Sequence, residues 1–134
     1  MKRCHSCTKE SLENTRYCLH CFIKECVRKT LKIANDEDKN HYASILLVKL
    51  QNQNFECVYT GRELIPGINM SLDHILPSSL FPEQFREIDN LVWCDLSCNL
   101  AKNNLLPSNF LELCQDVVLK RSELLNINVH HPHN

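Results

Sequence analysis

The stretch 71-SLDHILPSS-79 sets an acid beside a histidine, Asp73 and His74, inside an otherwise apolar run that stops at Pro77. Burying such a pair is costly unless something neutralises or uses it, so the rest of the chain has to supply a partner. MSLDHIL reads as a strand, and a loop follows from Pro77 to Asp89. LVWCDL reads as a second strand, and SCNLAKNN begins a helix. The pair therefore belongs to the first strand of a strand–loop–strand–helix unit. Sixteen residues past His74 lies Asn90, just ahead of the second strand. Nine further on comes Asn99 at the start of the helix, with Lys102 one turn along the same face.

Upstream, FECVYTGREL reads as a short strand turning at Thr60-Gly61, and IPGIN holds another turn at Pro66-Gly67. Two amphipathic helices precede it. Phe22, Ile23, Cys26, Val27, Thr30, Leu31 and Ala34 recur at helical spacing, which makes Cys26 a core thiol. Asn35-Asp36-Glu37-Asp38 interrupts that pattern and offers cap residues for the next helix, whose buried face is Tyr42, Ile45, Leu46 and Leu50. Downstream, Pro107 and Ser108 open another amphipathic helix with Phe110, Leu113, Cys114, Val117 and Leu124 inward. The tail INVHHPHN has no partner pattern and reads as frayed despite its three histidines.

At 134 residues and 43% apolar content, the chain has the size and composition of one folded domain with a small appendage. No stretch approaches the roughly 20 apolar residues of a membrane span. MKRCHSCTKE lacks the apolar segment of a signal peptide, so the expected location is cytoplasmic. Net charge −1 hides an asymmetry. Residues 1–33 carry eight Lys/Arg against three Glu, and the remainder seven basic against thirteen acidic residues, so +5 faces −6. A basic end on an acidic body suggests a polyanion grip at the N-terminus, with Arg28, Lys29 and Lys32 off the apolar stripe of their helix. A solvated charged face is the plainer alternative.

Nine cysteines in a reducing compartment call for something other than disulfides. Cys4-His5-Ser6-Cys7 and Cys18-Leu19-His20-Cys21 are two Cys-x2-Cys knuckles ten residues apart. Each knuckle points two thiolates into one turn, and two knuckles complete a tetrahedron around Zn²⁺. His5 and His20 read as bystanders. Four protein ligands leave no open position, so the zinc is expected to be structural.

The ordered set Asp73-His74, Asn90, Asn99 and Lys102 resembles the HNH nuclease motif, in the variant whose last member is Asn. CVYTGREL leading into LDHILPSS is also similar to the HNH domains of RNA-guided CRISPR nucleases and phage homing endonucleases. The resemblance covers residues 55 to about 110. It implies an α+β fold, with a ββα-metal (His-Me finger) core, flanking α-helices and the small N-terminal zinc finger. The boundaries expected are 1–33 for the finger and its helix, 34–54 for a connecting helix, 55–125 for the nuclease domain and 126–134 for a flexible tail.

Phosphodiester hydrolysis needs an activated water, neutralisation of the phosphate and help for the leaving 3′ oxygen. A histidine titrates near neutrality, which suits His74 to the role of general base. Neighbouring strand residues project to opposite sides, so Asp73 and His74 can straddle a phosphate. Asp73 and Asn99 offer hard oxygen ligands for Mg²⁺ or Mn²⁺. The resemblance implies that Asn90 fixes the loop and orients His74, and that Lys102 approaches the phosphate or the hydrogen bonds of the metal site. Each residue also has a plain reading: a surface carboxylate, a core histidine, a turn, a helix cap and an exposed lysine.

One departure from the family concerns a second zinc, which many members hold on two flanking Cys-x2-Cys pairs. Here Thr60 replaces a thiol three residues after Cys57, Cys94-x3-Cys98 has one residue too many, and Asp95 falls where the other thiol would be. Cys57, Cys94 and Cys98 are therefore expected as buried packing residues. The expected activity is cleavage of DNA to 5′-phosphate and 3′-hydroxyl ends, by a homodimer or a protein delivered by a partner, since the body is acidic. The alternatives are a non-catalytic zinc-finger nucleic-acid-binding module and a structural zinc protein that mediates assembly.

Overall fold

The computed structural model describes residues 2–126, except the side chains at 122–124 and 126; the expected tail over 127–134 lies outside the described residues. The chain divides into two compact units, residues 1–104 and 105–134.

In the first unit, α1 (Leu19–Leu31) buries Cys21, Ile23, Val27 and Leu31 along one side, following the apolar spacing of the sequence. Lys32 ends it in the left-handed conformation. Asn35 caps α2 (Asp36–Asn52), its side chain accepting from Asp38 N at 2.9 Å, and the acidic first turn complements the helix dipole. Ala43, Leu46 and Leu50 are the buried residues of α2, with Tyr42 and Leu47 packed half-buried against the core and Ile45 half-buried beside them. The two helices pack on each other, α1 also on β1 and α2 on β2.

β1 (Met70–His74) and β2 (Leu91–Asp95) form a two-stranded antiparallel sheet, with Leu72 opposite Trp93 and Asp73 opposite Val92. All five β2 residues are buried, because α3 (Leu96–Lys102) covers one side of the hairpin and the α1–α2 pair the other. Trp93 is the largest fully buried side chain, and its Nε1 donates to Leu46 O at 2.8 Å, so its one polar atom is satisfied. The Gln53 side chain pairs with the backbone of Trp93 as a neighbouring strand would, accepting from its N–H at 3.1 Å and donating to its carbonyl at 2.9 Å. Burying side chains of this size contributes about 1.5–3 kcal/mol each. The architecture is α+β, as expected.

The expected strand over FECVYTGREL is replaced by a turn. Asn54 and Phe55 both have positive φ (55° and 56°), which swings the chain out of α2 and breaks any extended run. Only one bridge remains, Glu56 to Glu63, around a turn closed by Gly61 N donating to Cys57 O at 2.9 Å. The Pro66-Gly67 turn forms as read. Gly67 has φ +85°, and a Cβ there would come within 2.1 Å of Asn14 O, so a side chain would push the finger off the body.

The loop from Pro77 to Asp89 contains two 3₁₀ turns, Pro82–Gln84 and Ile88–Asn90. Arg86 ties it to the end of α1, donating to Leu31 O at 3.1 Å and Lys32 O at 3.0 Å, carbonyls the helix leaves unpaired. Lys49 of α2 holds its far end, with Nζ at 2.6 Å from both Ile88 O and Leu91 O.

The second unit holds α4 (Pro107–Asn126). Phe110 is half-buried, but Leu113, Cys114 and Val117 are exposed, so the expected inward stripe is not formed; the side chain of Leu124 is among those not described. Helical spacing marks an apolar side, and among the described residues this unit has no second element to cover it. No helix among the described residues is long and apolar enough to cross a membrane.

Candidate functional site

The first knuckle is built by backbone amides that donate to sulfur two residues back: Ser6 N to Cys4 Sγ at 3.4 Å and Lys9 N to Cys7 Sγ at 3.3 Å. The second sits at the entrance to α1, where Cys18 is the N-cap residue and Cys21 lies in the first turn. The four sulfurs lie within 4.8 Å of one another, with Cys7 and Cys18 3.6 Å apart. A tetrahedral Zn–S bond of about 2.3 Å sets an S···S edge of roughly 3.8 Å, so the cluster has the size and donor set for zinc. Burial and the neighbouring thiols push Cys21 up. Cys4 is also buried, yet backbone amides and neighbouring thiols bring it down to about 6. An arriving divalent ion would displace the thiol protons.

The plain reading of Asp73 as a surface carboxylate fails, because it is buried against Lys102 of α3, itself 1% exposed. Lys102 Nζ is 3.2 Å from Asp73 Oδ2 and donates to His74 O at 2.8 Å. A second partner, which the sequence reading missed, is Tyr59 from the turn after α2. Its hydroxyl donates to Asp73 Oδ2 at 3.0 Å. Burial, then the charge of Asp73, pushes the phenol up, so it stays a donor. The acid in the strand is thus neutralised from within the fold. Tyr59 stands inside CVYTGREL, but nothing in its spacing aims it at a residue fourteen positions on.

His74 projects from the opposite side of β1. Its Nε2 lies 2.8 Å from Phe85 O, and its ring stacks on the Phe85 ring at a centroid distance of 4.9 Å. A carbonyl can only accept, so in the neutral imidazole Nε2 carries the proton and Nδ1 the lone pair. Among the described residues Nδ1 has no hydrogen-bond partner. Phe85 was invisible to the sequence reading, because its polar contribution is a backbone carbonyl, which every residue type carries.

Asn90 is buried and joins both ends of the loop: Oδ1 accepts from Leu76 N at 2.8 Å, and Nδ2 donates to Leu76 O at 3.3 Å and Gln84 O at 3.2 Å. Gln84 is the residue before Phe85, so this amide anchors the segment that meets the imidazole. Asn99 is not the helix cap; Asp95 is, accepting from Ser97 N at 2.8 Å. Asn99 instead reaches β1, its Nδ2 3.2 Å from Ser71 Oγ and 3.5 Å from Leu72 O. Its Oδ1 and that of Asp73 have no hydrogen-bond partner among the described residues. Two such oxygens suit a hard divalent ion, which would share the neighbourhood with the Lys102 ammonium.

Of the proposed DNA contacts, Arg28 is held by Glu25 through three hydrogen bonds of 3.0–3.2 Å, while Lys29 and Lys32 are exposed. Among the described residues no metal-sized group forms around Cys57, Cys94 and Cys98. Burial pushes the Cys94 thiol up to about 12. Burial also acts to raise Cys57, but the Thr60 hydroxyl and backbone amides of Asp95, Thr60 and Tyr59 bring it below the usual thiol range. No protein-family model matches the chain, and neither does any curated protein.

Proposed function

We propose that the protein is a metal-dependent endonuclease of HNH type, on a ββα-metal core, that hydrolyses DNA phosphodiester bonds to 5′-phosphate and 3′-hydroxyl ends. The observation that carries this reading is the His74 ring, fixed by Phe85 O so that a basic nitrogen is left unpaired, next in the strand to a buried Asp73, with Asn99 reaching the same strand at Ser71. In this reading His74 Nδ1 takes the proton of the attacking water. Asn90 keeps the Gln84–Phe85 segment in place and so orients the imidazole. Asp73 and Asn99 would hold Mg²⁺ or Mn²⁺, which when bound supplies charge neutralisation at the phosphate and at the leaving 3′ oxygen. Lys102 holds the Asp73 carboxylate in position and offsets its charge until the ion and phosphate arrive. Zinc on Cys4, Cys7, Cys18 and Cys21 belongs to the fold of the finger.

A second reading, a non-catalytic zinc-finger module that binds nucleic acid, is favoured by one fact: Asp73 Oδ2 already has two partners and needs no ion to be buried. A supercoiled-plasmid assay with Mg²⁺, Mn²⁺ or EDTA separates the two. Metal-dependent relaxed or linear product supports the endonuclease. Intact plasmid under conditions where the protein binds DNA leaves the module.

A further inference from the structure

Two clefts in the first unit meet at Thr15 and Arg16. One, of about 610 Å³, opens in the finger beside Lys2, Arg3 and His5. The other, of about 570 Å³, is lined by Arg16 and Tyr17, Phe22 and Lys29 of α1, Ser71 of β1 and Asn99 of α3. Their linings carry the cations Lys2, Arg3, Arg16 and Lys29 against Glu13 and Glu25. Glu25 is engaged by Arg28, so the net field along the path is positive. Tyr17 and Phe22 are half-buried and add aromatic surface to the same wall. Lys32, expected as a DNA contact, lines neither cleft.

We infer that the joined clefts are a channel for one strand of DNA, with phosphates on the cations and bases against Tyr17 and Phe22. Basic side chains interleaved with aromatic faces are the means by which proteins hold single strands without reading sequence. The volumes are on the scale of small-molecule sites of about 300–1,000 Å³, enough to admit nucleotides. Asn99 lines the second cleft, so the strand passes the reaction centre; that last step rests on the nuclease reading above, while the channel itself does not.

Fluorescence anisotropy on the full zinc-loaded chain, without added Mg²⁺ or Mn²⁺, tests the channel with a labelled mixed-sequence single strand and the matching duplex. Arg16→Glu with Lys29→Glu is expected to weaken single-strand binding by at least about tenfold and to flatten the log K against log salt slope by roughly 1.4, at ~0.7 per phosphate contact. Tyr17→Leu is expected to weaken it roughly tenfold at an unchanged slope, because stacking releases no counterions. Lys120→Glu with Arg121→Glu in α4, a matched charge change outside this unit, should alter neither. Zinc content and melting temperature check each variant, and Lys29→Glu alone, on an exposed helix face, serves if Tyr17→Leu loses its zinc. Wild-type affinity and slope after the double reversal overturn the channel, as does a duplex that binds more tightly than the single strand. A protein that never cuts plasmid yet binds single strands through Arg16 and Lys29 keeps the channel and loses the nuclease reading. One that cuts plasmid and ignores both reversals does the opposite.

Discussion

At the cysteine cluster four like groups converge within 4.8 Å, and among the described residues their hydrogen bonds run to one another and to backbone amides. At Asp73 the protein brings its own cation and its own phenol, Lys102 at 3.2 Å and Tyr59 at 3.0 Å. The difference decides what a metal can mean at each place. Among the described residues no cation pairs with the thiols, so an ion held there would complete the fold. The carboxylate is already compensated, so the hairpin and α3 can form without an ion, and a divalent metal would be a visitor held by the remaining oxygens, water and phosphate.

The largest effect expected from that contrast follows zinc removal. Structural zinc contributes about 10–16 kcal/mol of apparent binding energy in finger peptides, so a strong chelator should unfold residues 2–21. Trp93, the only tryptophan, lies under α2 in the body and should keep its buried emission. Amide exchange and tryptophan fluorescence followed together read both halves of the comparison. A red-shifted Trp93 arriving with finger exchange would mean the two regions fold as one. Elemental analysis should find about one zinc per chain; two would restore a site around Cys57, Cys94 and Cys98.

Next in size is the loss of the internal cation. Lys102→Met leaves Asp73 buried and unpaired, and breaking such a pair costs about 3–5 kcal/mol. The exposures, 1% and 8% of the two side chains, leave solvent little room to screen the charge. Adding Asp73→Asn should recover most of the loss, since neither charge then remains. Denaturant midpoints of the two single variants and the double variant give the coupling directly. A Lys102→Met protein as stable as wild type would show that the carboxylate is compensated by something else, and the contrast with the thiols would fail.

The parts of this architecture that were legible in the sequence are those in which neighbours along the chain determine the outcome. Knuckle spacing brings Cys4, Cys7, Cys18 and Cys21 together, and the short apolar runs and the helical spacing mark β1, β2 and the helices. Asp73 and Lys102 were picked out, but their direct contact was not, because it depends on how α3 folds back over β1. Tyr59 and Phe85 reach the site only through tertiary packing. The strand expected at FECVYTGREL is missing because the left-handed backbone of Asn54 and Phe55 turns the chain where the extended run would begin. The α4 stripe failed for a different reason: periodicity tells which side is apolar and nothing about what covers it.

The catalytic half of the comparison is sharpened by His74→Ala. A positioned base contributes about 10²–10⁴-fold in rate, and that loss is expected in plasmid cleavage with zinc content and DNA binding intact. Asp73→Ala and Asn99→Ala should instead shift the Mg²⁺ dependence, so that added metal partly restores them and leaves His74→Ala inactive. A His74→Ala protein whose residual activity only tracks its folded fraction would make the histidine a packing residue.

The smallest effect belongs to the hairpin's other acid. Asp95 lies opposite Met70 in the sheet and caps α3. Its hydrogen-bond partners are neutral: Asn69 Nδ2 donates to Oδ2 at 2.8 Å and Ser97 N to Oδ1 at 2.8 Å, and the charge of Arg62 adds a smaller attraction. The Asn69 amide first, then the Ser97 amide, holds this carboxyl below its usual range. A depressed folded value means that the ionised form stabilises the protein above the unfolded carboxylate pKa of about 3.9, and that this contribution disappears as pH falls through the folded value. Asp95→Asn should therefore be less stable than wild type at pH 7, and the gap should close as the medium is acidified below about pH 4. Asn remains a competent cap, which keeps the difference small and assigns it to the charge. Urea midpoints of both proteins across that range make the measurement. A gap that stays constant to low pH would show that Asp95 works by shape alone, leaving Asp73 as the one acid of the hairpin whose charge matters to the fold.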